Sequence, residues 1–187
     1  MFEPILLTAA NVLTFYGLRR LTNASSFFFE RDKRLFLLTS RHVLMDTSAE
    51  HFPDRIEIEL HVNPENLAES TGFSIPLYRE GVAIWRQASD AAGQVDIAVI
   101  ELDRKTMPKP TVYRAFTPEL ILREPDRVEV STSLLVVGFP LGFHDTLHHV
   151  PVVRQATIAS SFGLRFQGEG YFLTDARSTA VPAVHPS

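Results

Sequence analysis

Three short segments carry residues that could do chemistry. In "LFLLTSRHVL" an apolar strand ends at Thr39-Ser40 and a histidine stands two residues on, at His42. In "GQVDIAVIEL" Asp96 opens a strongly apolar strand running from Ile97 to Leu102. A carboxylate there must either be solvated at the strand mouth or paired with a donor. In "LLVVGFPLGF" an apolar strand runs into Gly138-Phe-Pro-Leu-Gly142, a rigid turn that calls for two glycines. Each has a plain alternative: a structural or exposed histidine, a strand-entry aspartate, an ordinary β-turn. A fourth segment, "FHDTLHH", sets His144 and His148 four apart with Asp145 and His149 beside them. On a helix that spacing suits zinc, but a hairpin loop between the glycine turn and "VPVVRQATI" is the expectation, and no metal or cofactor is expected.

The elements that must position these residues read as strands. "NASSFFFERD" (23–32) and "KRLFLLTS" (33–40) form an expected hairpin through "RDK". "DRIEIELHV" alternates, with Ile56, Ile58, Leu60 and Val62 on one face and Glu57, Glu59 and His61 on the other. "FSIPLY", "GVAIWR", "VDIAVIEL", "RVEVSTSLLVVGFP", "VPVVRQATIASS" and "GYFLTD" continue the series between turn signals. So many short strands imply an all-β sandwich or barrel. Helical signals are confined to a turn at His42 and to "TPELILRE", where Thr117 could cap and Pro118 open a helix. The segment 103–119 has three prolines and little alternation, and reads as a connection between two halves.

Composition narrows the function. The 187-residue chain has 18 basic and 22 acidic residues, for a net charge of −4 and no basic run. That disfavours nucleic acid and anionic membrane as partners. "LRR" at 18–20 is read as a solvated edge. With no cysteine, disulfides, a thiolate nucleophile and a thiolate metal site are excluded. The N-terminus has Glu3 and lacks the positive region of a signal peptide. No apolar run reaches about 18 residues, so no membrane span is expected and the cytoplasm is the default location.

Taken together, Thr39-Ser-Arg-His42-Val, Asp96-Ile-Ala-Val-Ile-Glu-Leu and Gly138-Phe-Pro-Leu-Gly142 resemble, in order and spacing, the trypsin-like (chymotrypsin-fold) serine peptidases, especially the bacterial HtrA-like branch. The resemblance runs from about residue 23 to 179. It implies two six-stranded-type antiparallel β-barrels: 1–103 as an N-terminal barrel carrying His42 and Asp96, 104–118 as linker, and 119–187 as a C-terminal barrel. It implies His42 as general base, Asp96 as the acid that orients it, and a protein or peptide substrate.

The resemblance fails at the nucleophile. "YFLTDARST" matches the approach to a Gly-x-Ser-Gly motif, but the slot for the serine falls at Ala183, eight positions after Asp175. Ser178 comes too early and Ser187 too late. Val181 stands where the oxyanion-hole turn favours glycine. The sequence therefore predicts a peptidase lineage without hydrolysis, with a non-catalytic peptide-binding module as the alternative. It also predicts a second barrel truncated after residue 179, with "GYFLTD" an open edge through which the chain self-associates.

Overall fold

A computed structural model describes residues 2–90, 93–122, 128–168 and 170–176. The protein is all-β and antiparallel. The strands are β1 (Ala9–Tyr16), β2 (Arg19–Arg31), β3 (Arg34–Thr39), β4 (Arg55–His61), β5 (Ser70–Pro76), β6 (Tyr78–Arg79), β7 (Val82–Ala83), β8 (Trp85–Asp90), β9 (Gly93–Leu102), β10 (Ser133–Gly138) and β11 (Val152–Thr157). A four-residue helix, α1 (Arg41–Leu44), follows β3.

Seven strands form one sheet in the order β5-β4-β1-β2-β3-β9-β8. The expected closed barrel is corrected here: β5 and β8 are edges that do not pair with each other. Just after β5 and just before β8, the Ile84 N–H bonds to the Leu77 carbonyl, where the chain forms the small β6–β7 hairpin. The core lies inside this curved sheet. Alternate residues of each strand point inward, and Val12, Leu35, Leu37, Ile56, Leu60 and Ile100 are all at 1% exposure or less. Each such side chain contributes about 1.5–3 kcal/mol by leaving water.

The β2–β3 hairpin turns on Asp32-Lys33, both left-handed at φ 51° and 62°. A two-residue turn of that hand matches the twist of the flanking strands. It puts Phe28 opposite Leu37 and Phe27 opposite Leu38. The segment expected as linker laces across the first sheet. Met107 is buried, the Val112 N–H donates to the His61 carbonyl, and the Phe116 N–H donates to the Phe28 carbonyl.

The second half is thinner. Among the described residues it has one two-stranded sheet, β10–β11, rather than a barrel. Two expectations fail here. "GYFLTD" is not a strand: a lone bridge joins Thr174 to Ile158, and Tyr171, Phe172 and Leu173 are all exposed. Three consecutive exposed apolar residues have β propensity without the alternation that would let one face pack. Among the described residues of "TPELILRE", 117–122, the only helix is a 3-10 turn at Pro118–Leu120, which buries no residue. Ala183, Ser178, Val181 and Ser187 lie outside the described residues.

Candidate active site

β3 delivers the chain to α1 with Thr39 buried and its hydroxyl donating to the Ser25 carbonyl at 2.9 Å. The helical turn buries Val43 and Leu44, which leaves His42 on the outer side. Three further bonds hold this turn. His51 Nε2 bonds to the Val43 carbonyl at 2.9 Å. Asp46 pairs with His51 through both backbone N–H groups, at 2.9 and 2.8 Å. The Asp46 carboxylate accepts from the Ser48 hydroxyl and from the Ser48 and Ala49 N–H groups. The Ser48 hydroxyl bond, first of these, lowers the Asp46 pKa. His51 and Asp46 were not singled out in the sequence. "DTS" after the histidine, a side chain able to bond its own following amides, was the available signal.

β9 runs antiparallel beside β3, with Thr39 opposite Ala98. Two residues on from Ala98 towards its start, Asp96 therefore stands level with α1. Its Oδ2 lies 2.7 Å from His42 Nδ1, and its Oδ1 accepts the His42 backbone N–H at 3.0 Å. One carboxylate thus fixes both the ring and the main chain of the histidine. A carboxylate only accepts, so Nδ1 carries the hydrogen, and in the neutral ring Nε2 is left with the lone pair. Nε2 has no hydrogen-bond partner among the described residues. Histidine and aspartate, 54 positions apart in the chain, are thus brought within one hydrogen bond of each other. The side chains are 57% and 53% exposed, so water screens the pair.

The glycine turn docks close by. The Phe139 N–H donates to Ser25 Oγ at 2.8 Å, on the same residue whose carbonyl holds Thr39. The two glycines serve different ends. A Cβ on Gly138 would stand 2.7 Å from Ser25 Oγ. Gly142 adopts φ +77°, and a Cβ there would run into the Asn23 side-chain amide. Farther along, Asp175 is tied to β11: its N–H donates to the Thr157 carbonyl, and its Oδ1 accepts the Thr157 N–H at 2.6 Å. That backbone bond lowers its pKa. A groove beside the dyad is lined by Asp96, Ile97, Gln94, Asp90, Gly170 and Tyr171, residues of both halves. Arg165 pairs with Asp90, one of the groove's lining residues, at 2.8 Å.

The histidine-rich segment is a loop, as expected. Asp145 accepts from His148 Nδ1 at 2.8 Å and from the backbone N–H groups of Leu147 and His148. The His148 side-chain bond is the main reason its pKa falls to about 2. His144 Nδ1 bonds to the Gly142 carbonyl instead of facing Asp145. Among the described residues no three histidine, aspartate or glutamate side chains converge to hold a metal. No helix among them is long and apolar enough to cross a membrane.

No family model matches this sequence, and no curated protein matches it. Among solved structures, the chain is similar to the crystal structure of the scabies mite inactivated protease paralogue S-I1, with 24% identity and a TM-score of 0.49. The match covers 83% of this chain and 62% of the mite protein, so the chain spans less than two thirds of that protein's length.

Proposed function

We propose that this chain is of trypsin-like serine peptidase lineage, in the HtrA-like branch that its three motifs resemble, and that it retains the base and orienting acid of a Ser-His-Asp site without the nucleophile. The observation that carries this is the two-point hold of Asp96 on His42, at 2.7 Å to the ring and 3.0 Å to the backbone. In a competent site the serine gives its proton to Nε2, and the imidazolium so formed is stabilised by a buried carboxylate. Here Ala183 occupies the expected slot and offers no proton. The half-exposed Asp96 would also stabilise an imidazolium less than a buried one. Both features support loss of hydrolysis. Peptide esters and casein-type substrates are the test: turnover no faster than buffer is expected, and turnover abolished by His42→Ala would overturn the reading.

A peptide-binding role is the second reading. The exposed Ile97 and Tyr171, at 41% and 46%, face a groove beside the dyad, and such side chains can grip a peptide without cleaving it. The division into residues 1–103, 104–118 and 119–187, and self-association through the second half, belong to the same proposal.

A further inference from the structure

Basic residues that are scattered in the sequence converge on the outer face of the sheet. Two adjoining concavities, sharing Arg34, Ile84 and Glu101, run from the β8–β9 strands to the β2–β3 turn and the segment after β9. Their linings take seven of the chain's 18 basic residues and three of its 22 acidic ones, which leaves 11 against 19 elsewhere. A positive groove on a negative protein is a local field that favours anions.

Internal pairing does not neutralise it. Arg34 is held in a fork on Glu101, Arg31 lies 3.4 Å from Asp32, and Arg104 bonds Glu30. The Glu101 pKa is lowered first by the Arg34 bond, with a weaker attraction to Arg86 behind it, so Glu101 is held by Arg34 and offsets only part of the charge on Arg86. Lys33, Arg79, Arg86 and Lys105 have no ion pair among the described residues. The floor between them is apolar, with Phe36, Ile84 and Val99 on the face of the sheet turned away from the core. Phe36 stands directly opposite Glu101 on the neighbouring strand.

We propose that this groove binds an extended acidic peptide in which carboxylates alternate with large apolar side chains. The period of two in an extended chain sends alternate residues to one side. Apolar residues would then cover the Ile84-Val99 floor, with Phe36 beneath the Arg34 guanidinium, while carboxylates at the rim come within reach of the long side chains of Arg86, Lys33 and Lys105. Guanidinium groups take carboxylates in paired hydrogen bonds. A single-stranded nucleic acid fits less well. Its bases need open aromatic faces, and the one ring in the floor, Phe36, is already covered by Arg34 at 5.2 Å. The site lies at the far end of the β3–β9 ladder from His42, near the Leu35–Leu102 pair, so it is independent of the dyad.

Fluorescence anisotropy of a short labelled peptide alternating glutamate with leucine tests this at low and high salt. Saturable binding is expected that weakens with salt, with no binding of the lysine-for-glutamate peptide. Arg86→Glu and Lys105→Glu, both exposed and outside any ion pair among the described residues, should each weaken binding roughly tenfold through lost attraction and new repulsion. His42→Ala should leave it unchanged, which separates this site from the peptidase reading. Absence of binding, or equal binding by the charge-reversed variants, overturns the proposal. So does an oligothymidine that binds more tightly than the peptide.

Discussion

Replacing Gly138 by alanine should undock the second half of the molecule from the first. Gly138 ends β10 opposite Val152, and a methyl group there would stand 2.7 Å from Ser25 Oγ and 3.3 Å from Ser25 Cβ. Ser25 cannot simply rotate away, because its hydroxyl accepts the N–H of Phe139, a residue only 2% exposed. Overpacking costs about 1–3 kcal/mol, and orphaning a buried N–H costs about 1–3 kcal/mol. Partial relief of one by the other leaves about 2–4 kcal/mol. At 1.4 kcal/mol per factor of ten, exchange of the β10 and β11 amides should accelerate roughly 30- to 800-fold. Native-state hydrogen exchange reads this against the amides of β3 and β9, which should change little. Ser25→Gly removes both clashing atoms and should recover part of the loss in the double variant. Unchanged protection in Gly138→Ala would mean that the turn does not rest on Ser25, and the placement of the second half would be wrong.

Other outcomes follow from the same geometry. The His42 Nδ1 proton, bonded at 2.7 Å, should give a downfield NMR resonance, lost in Asp96→Ala; persistence of that signal would place the bond elsewhere. The Asp145 carboxyl is depressed from 3.8 to about 2 chiefly by its bond to the His148 ring. Its contribution to loop stability should therefore be complete above about pH 4 and disappear as pH falls through about 2. Asp145→Asn should abolish that dependence, as followed by the loop amides' exchange between those pH values. Exposed Leu135, Leu141, Phe143, Leu147 and Leu164, all above 50%, should make the second half drive concentration-dependent association. Light scattering that reports a monomer at high concentration would count against it.

Much of the site was legible because its signals are local. The alternation in "RIEIELH" gave buried Ile56, Ile58 and Leu60, and β3 ends at Thr39 where its apolar run meets polar residues; Asp96, expected to open its strand, instead lies inside β9, which begins at Gly93. β1 was harder to see. Its inward residues are Ala10, Val12 and Thr14, too small and polar to register as a hydrophobic stripe. Thr14 is nonetheless fully buried because its hydroxyl accepts the Thr22 N–H at 3.0 Å. The "GYFLTD" strand was a propensity signal without packing behind it. That the sheet stays open was invisible, since closure would require β5 and β8 to pair, which no local pattern encodes. The basic groove was hidden for a related reason: its cations come from 31–34, 79–86 and 104–105, and only the sheet brings them together.

A fluorophosphonate probe with mass spectrometry of the labelled protein tests the central claim most directly. Such a probe captures any serine activated by a histidine base. No labelled serine is expected, in the native chain or in His42→Ala. A single labelled serine, lost in both His42→Ala and Asp96→Ala, would show that the dyad still serves a nucleophile and that the site is an active peptidase.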